Sequence, residues 1–275
     1  MTEINFETLL NAGVHFGHLK RKWNPEMAPY IFCEKRGIHV IDLNKTLVKL
    51  DEAASALRQI AKSGRKILFV ATKKQAQNFV SQAVAETRMP YITERWPGGM
   101  LTNFKTTRKT IRKMSAIDNM MKDGTADTMS KRERLQMTRK RLKIETVFGN
   151  ISEMSRLPAA IFIVDIKKEH IALAEARNLG IPVFAMVDTN SNPLDVDFVI
   201  PSNDDATKSI ELVVSYMCDA IKEGLSERKI AKAEETTKEA KAEETTKEAK
   251  AEETIKEAKV EETTKEAKAE VKQTS

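Results

Sequence analysis

The chain has 275 residues, 41% of them apolar, and its 46 Lys and Arg against 40 Asp and Glu give a formal net charge of +6. That apolar content supports one core of ordinary size, while two lone cysteines, Cys33 and Cys218, with no CxxC spacing argue against a disulfide scaffold or a Cys-rich zinc site. No apolar run reaches membrane-spanning length, and the opening Met1-Thr-Glu-Ile-Asn-Phe-Glu7 has no apolar signal segment, so a cytosolic chain without a membrane partner is expected.

The N-terminal segment holds His15 and His18 around Phe16-Gly17, with Cys33 and His39 downstream. A helical spacing of three could bring both imidazoles to one metal, but Gly13 and Gly17 break the segment and no clustered fourth ligand is evident. Beside Lys20, Arg21, Lys22 and Trp23, the histidines suit base stacking and phosphate contact in RNA equally well. Residues 44–63 have helical period and end at Gly64, and the β-rich run Lys66-Ile-Leu-Phe-Val-Ala-Thr72 follows. Residues 73–88 are again helical in pattern. Lys73 and Lys74 at their start oppose the helix dipole, at a cost of about 0.3–1 kcal/mol each. An external phosphate that offsets this cost and two tolerated surface lysines are both consistent with the pattern. Gly98-Gly99 after Trp96-Pro97 reads more simply as a turn needing positive φ than as a phosphate cradle.

The next segment interrupts the alternation. The 39 residues from Lys105 to Lys143 carry 13 Lys and Arg against four acids, Asp118, Asp123, Asp127 and Glu133. Residues 1–225 hold 34 basic and 26 acidic side chains, so this segment accounts for the whole positive excess of the core. A local excess of that kind releases condensed counterions from phosphates, whereas a solvated helix face usually intersperses both signs. Ile111, Met114, Ile117 and Met121 recur at 3, 3 and 4, Leu135 and Leu142 lie seven apart, and Asp123-Gly124 marks a turn between them. An antiparallel coiled-coil hairpin over about 104–148 is expected, with a thin apolar seam formed by those residues. Its exposed surface would carry Lys105, Arg108, Lys109, Arg112, Lys113, Arg139, Lys140 and Arg141 to RNA phosphates, supplemented by Lys20, Arg21, Trp23 and Arg95.

Three further apolar runs follow: Ala159-Ala-Ile-Phe-Ile-Val-Asp165, Pro182-Val-Phe-Ala-Met-Val-Asp188 and Asp197-Phe-Val-Ile200. Their hydrophobicity is continuous rather than alternating, which requires cover on both faces. With helical patterns at 168–178 and 204–224, they predict an α/β fold with a Rossmann-like or flavodoxin-like parallel sheet flanked by helices. The sheet raises the class of nucleotide enzymes, but no GxGxxG follows a strand and no GxxxxGK[ST] occurs. Asp188 ends a strand and Asp204-Asp205 open the last helix, so these carboxylates meet the strand carboxyl edges, where a divalent cation and ordinary turn and cap chemistry compete as explanations. No cofactor is otherwise required.

From Ser226 onward the chain repeats a nine-residue unit, first as Lys238-Glu-Ala-Lys-Ala-Glu-Glu-Thr-Thr246. Nine residues are two and a half helical turns, so successive copies cannot build one apolar stripe. With 12 basic and 14 acidic residues and four large aliphatics, residues 226–275 are expected to be a disordered, solvated extension of a domain spanning 1–225.

Five long motifs now carry a resemblance: Gly13-Val-His-Phe-Gly-His18, Trp23-Asn-Pro-Glu-Met27, Arg95-Trp-Pro-Gly-Gly-Met-Leu-Thr-Asn103, Gly180-Ile-Pro-Val-Phe-Ala-Met-Val-Asp-Thr-Asn-Ser-Asn-Pro193 and Asp197-Phe-Val-Ile-Pro-Ser-Asn-Asp-Asp-Ala206. In this order, from about Phe6 to Gly224, they closely resemble the bacterial small-subunit ribosomal protein S2 family. Pro97 replaces that family's usual Leu, Phe104 its Trp, and the tail has no counterpart. The resemblance implies a noncatalytic protein of the cytoplasmic ribosome, bound to small-subunit rRNA and not to DNA. Neighbouring ribosomal proteins, including the large multidomain protein S1 near the messenger exit, are the implied protein partners, with recruitment of initiation components as an accessory role. A nucleotide-binding enzyme on the same sheet and an RNA-independent adaptor are the alternatives.

Overall fold

The computed structural model describes residues 4–123 and 129–231. The chain separates into two units, Met1–Ser226 and Glu227–Ser275, and in the second the described residues 227–231 are helical. The repeats from residue 232 and the Gly124 turn expected between the basic helices lie outside the described residues.

The first unit opens with α1 (Phe6–Asn11), β1 (Phe16–Leu19), β2 (Ile31–Lys35) and β3 (Ile38–Ile41). The three strands form an antiparallel sheet in the order β1-β3-β2. The sequence reading assigned no strands here, because four- and five-residue segments such as the almost wholly exposed β2 contain no continuous apolar run. Then come α2 (Leu43–Lys62), β4 (Ile67–Val70), α3 (Lys74–Thr87) and the two-residue β5 (Tyr91–Ile92). Two helices, α4 (Phe104–Lys122) and α5 (Lys131–Phe148), precede β6 (Ala160–Val164), α6 (His170–Asn178), β7 (Val183–Val187) and β8 (Phe198–Pro201). A last helix, α7, begins at residue 207.

The four expected strands and their helices are present close to their predicted bounds, except that the last helix, expected over 204–224, continues to at least residue 231, into the segment expected to be disordered; β5 is the additional strand. All pairings in the second sheet are parallel, in the order β5-β4-β6-β7-β8. Numbered within that sheet the order is 2-1-3-4-5, the flavodoxin-like arrangement, whose switch point lies between the carboxyl ends of β4 and β6. Strand alternation sorts the core into two layers. Phe69, Phe162, Phe184 and Met186 pack against Leu50, Leu57, Val80, Val213 and Met217 of α2, α3 and α7. Leu68, Val70, Ile161, Ile163 and Ala185 pack on the other face against Ala172 and Ala176 of α6, Met27, and the Trp96–Leu101 turn. Continuous hydrophobicity along each strand is therefore spent on both faces.

The two basic helices touch each other, with Asp118 of α4 bonded to Arg141 of α5, while Arg108 near the start of α4 reaches the Ser155 carbonyl beyond α5. The helices thus run in opposite directions. On α4, Phe104, Thr107, Ile111, Met114 and Asp118 face inward at spacings of 3 and 4. The expected seam on α5 is corrected: Leu135 and Leu142 are each 51% exposed. The partly buried stripe runs instead through Arg134, Met137, Arg141, Ile144 and Phe148, one position away from the leucines. A seven-residue spacing between two leucines cannot distinguish these phases when the competing face carries long arginine stems that also cover apolar surface.

Candidate nucleic-acid interface

Because the apolar stripe of α4 faces α5 and the sheet, its opposite face is left to solvent. Lys105, Lys109, Arg112 and Lys113 are all exposed there, at spacings of 4, 3 and 1 that place them on one side of the helix. Arg139 and Lys140 are exposed on α5. Arg108 is half-buried at the Ser155 carbonyl, and Arg141 faces α4, where Asp118 engages it, and is also held at 2.8 Å by Glu145 one turn on along α5. Two of the segment's four acids are used internally: Asp118 holds Arg141, and Glu133 forms a capping box with Ser130 at the start of α5. Neither carboxylate lies among the exposed bases of α4, whose outer face is therefore cationic.

A second basic surface forms around the antiparallel sheet. Lys20, Arg21, Lys22 and Trp23 are exposed, and the Lys20 amide donates to the Gly37 carbonyl at 3.0 Å. This contact brings exposed Lys35 and Arg36 beside Lys20, two residues that sequence reasoning missed. Arg36 (φ 54°) and Gly37 (φ 76°) are both left-handed, the backbone of a tight turn, and the Arg-Gly dipeptide between two short β-rich runs was the available signal. Glu34 pairs with Lys20 at 2.6 Å, and the Trp23 ring centroid lies 5.2 Å from that of His39. Arg95 is exposed at the start of the turn leading to α4.

The carboxyl edge of the parallel sheet holds a separate charged cluster. Lys73, N-cap of α3, is only 8% exposed, and its Nζ lies 3.2 Å from Asp165, 2.8 Å from Asp204 and 2.6 Å from Asp205. Both sequence readings of Lys73, a phosphate contact and a tolerated surface lysine, are therefore corrected to a buried ion pair, while Lys74 is exposed. The helix dipole that disfavours a lysine here is outweighed by three carboxylates. Beside them, His18 Nδ1 lies 2.8 Å from Asp188 Oδ2, and His18 Nε2 lies 3.4 Å from Asp205. Burial, with Asp165 and Asp188 close by, pushes the Asp204 carboxyl up to about 7. The hydrogen bond to Asp188 raises the His18 imidazole. Of the expected cation ligands, Asp188 and Asp204 come together with His18, their ligand atoms within 4.8 Å of one another, while Asp205 reaches outward to Lys73 and His18. His15 is not in this group, and its ring lies against Phe16.

Gly99 has φ 82°, as the turn reading required. The amides around it do form an anion cradle, but the anion is internal: Gly99, Leu101 and Thr102 donate to the carboxylate of Glu175.

Lys73 supplies the cation for buried Asp204 and Asp165. Lys73→Met should destabilise the fold by about 3–5 kcal/mol, seen as a lower urea midpoint, because it leaves those carboxylates uncompensated. An unchanged midpoint would show that the cluster does not depend on the ammonium.

Comparison with known proteins assigns the chain to a family. A family model described as Ribosomal protein S2 matches residues 9–224. Among curated relatives, small ribosomal subunit protein uS2 of Parabacteroides distasonis is 61% identical over 239 residues, covering 87% of this chain and 86% of the relative. The uS2 protein of Porphyromonas gingivalis strain ATCC 33277 is 62% identical over 232 residues (84% and 83%), and that of Bacteroides fragilis strain ATCC 25285 is 60% identical over 234 (85% and 84%). The missing phosphate loop, the local basic excess and these matches agree: the chain belongs to the ribosomal protein S2 family, whose members are structural components of the ribosome rather than enzymes.

Proposed function

We propose that the chain is held in the small ribosomal subunit by rRNA phosphates contacting α4 and α5, packed as an antiparallel coiled-coil hairpin. The observation that carries this reading is the stripe of Lys105, Lys109, Arg112 and Lys113, exposed on one face of α4 while Asp118 is engaged by Arg141 and Glu133 by the α5 cap. Arg139 and Lys140 extend it, and the patch of Lys20, Arg21, Lys22, Lys35, Arg36 and Trp23 supplies a second contact in which an indole can stack on an unpaired base. Arg108 and Arg141 serve mainly to hold the helices in place. As a ribosomal protein the chain works in the cytoplasm, and no described helix is long and apolar enough to cross a membrane.

Two accessory roles have specific support. His18, Asp188 and Asp204 can hold a divalent cation, since the buried Oδ2 of Asp204 has no hydrogen-bond partner, and Asp188 adds a carboxylate beside the three that already meet the Lys73 ammonium. The exposed rings of Phe6 and Phe32 line a cleft of about 260 Å³ with Leu10, Val40 and Leu43, a surface suited to a protein partner such as S1.

Replacing Lys105, Lys109, Arg112 and Lys113 together by Ala should lower the salt slope of binding to small-subunit rRNA by up to about three units, and an unchanged slope would defeat the assignment. Equilibrium dialysis of the full chain against Mn²⁺ should give one bound equivalent, lost in His18→Ala; binding indifferent to that substitution would remove the cation site. Small subunits carrying Phe32→Ser should retain less S1, and full retention would exclude the aromatic face.

A further inference from the structure

Glu175 lies inside α6, is 7% exposed, and points its carboxylate at the turn that leads into α4. Oε1 accepts from the Gly99 amide at 2.7 Å and the Trp96 indole at 3.2 Å. Oε2 accepts from the Leu101 amide at 2.9 Å, the Thr102 amide at 3.2 Å and the Thr102 hydroxyl at 3.3 Å. All five donors belong to the seven residues 96–102, and no ion pair to Glu175 is present among the described residues. A buried carboxylate without a cation is costly unless donors satisfy it, so the turn is confined to conformations that present all five together.

The helix that follows has little of its own to fix its start. Asn103 at the N-cap of α4 makes no side-chain cap bond, and the first turn contains no acid and does contain Lys105, which opposes the dipole. Its anchorage comes from the turn: the Asn103 amide donates to the Gly99 carbonyl at 2.8 Å, the Thr107 hydroxyl to the Met100 carbonyl at 3.4 Å, and Met100 and Leu101 are each 1% exposed. Arg95 stands at the other end of the same turn.

We infer that Glu175 is a positioning residue for RNA binding: by gathering the Trp96–Thr102 donors it aims α4, with its lysines and arginines, and Arg95 at the phosphates without touching them. This rests on the rRNA-binding reading above. Burial acts to raise the Glu175 carboxyl, but the Leu101, Thr102 and Gly99 amides hold it below the usual range. A depressed carboxylate contributes stability above its unfolded value that is lost as pH falls through its folded value, so the turn should loosen on the acid side.

The test uses the full chain and deproteinised small-subunit rRNA, with binding measured across a salt series and backbone hydrogen exchange measured on the free protein. Glu175→Gln leaves every Lys and Arg in place, but its amide can accept on one side only and turns a donor toward the other donors. The salt slope should fall by about two units, and exchange in residues 99–107 should accelerate at least tenfold while β6 and β7 stay protected. Trp96→Phe with Thr102→Val removes two of the five donors without changing charge, and should shift slope and exchange the same way by less. If 99–107 exchange faster while the slope stays at the wild-type value, the positioning role is overturned and the RNA reading stands. If Glu175→Gln fails to fold, a wild-type slope in the Trp96→Phe/Thr102→Val protein overturns the role by itself. A wild-type chain with no salt-dependent binding to this RNA would overturn both readings.

Discussion

One buried ammonium organises the carboxyl edge of the parallel sheet. Lys73 follows β4, Asp165 follows β6, and Asp204 and Asp205 lie between β8 and α7, so a single side chain joins three elements across the switch point. From there the network continues through Asp205 and Asp188 to His18, the second of which ties the antiparallel sheet to the end of β7. Gly17 shows how close that approach is, because a Cβ there would lie 2.7 Å from the Thr189 side chain. Flavodoxin-like sheets ordinarily bind ligands at this edge. Here that edge carries Lys73 and its three carboxylates, and the sequence has no phosphate loop for a mononucleotide.

The two basic surfaces follow from different uses of charge. On α4 and α5, Asp118 is drawn inward to Arg141 and Glu133 is held by the α5 cap, while Lys105, Lys109, Arg112, Lys113, Arg139 and Lys140 are left outward. Around β1 and β2, by contrast, a left-handed turn at Arg36 and Gly37 gathers charge from separate strands. The first arrangement is a stripe along a helix and the second a compact patch next to an aromatic ring. In the RNA-binding reading proposed above, the stripe would set register and orientation on phosphates, while the patch has the groups needed to meet an unpaired base.

Much of this was legible in the sequence because it rests on one-dimensional signals. The continuous apolar runs around Leu68, Ile161 and Ala185 required cover on two faces, and the charge excess of 105–143 needed only counting. The antiparallel sheet was not legible, since Phe32 and Cys33 point to solvent and β1 has no buried residue to set a period. Lys73 was misread for a related reason: a lysine at a helix start signals exposure until the fold brings Asp165 and Asp204, 92 and 131 residues away, to its side. The phase of α5 failed because leucines at 135 and 142 outrank arginines at 134 and 141 on any hydrophobic scale, yet an arginine that meets an aspartate across the helix pair is the better inward residue there. The Gly98-Gly99 turn was read correctly as a turn, but nothing local announced that its amides would be filled by a glutamate on α6.

The neighbouring strands β4 and β6 are joined only after the chain has passed through α3, β5, α4 and α5, with Ile67 paired to Ala160. Closing a loop of that length costs only a little more than closing a short one, because the entropy grows with the logarithm of its length. The basic insertion is therefore cheap for the finished sheet and expensive in time, since the central pairing must await a long-range encounter. During synthesis the whole helical pair emerges before the strand that completes the core. The segment with the greatest positive charge excess is thus available to solution before its scaffold has closed, so in the RNA-binding reading proposed above folding and capture would overlap in time.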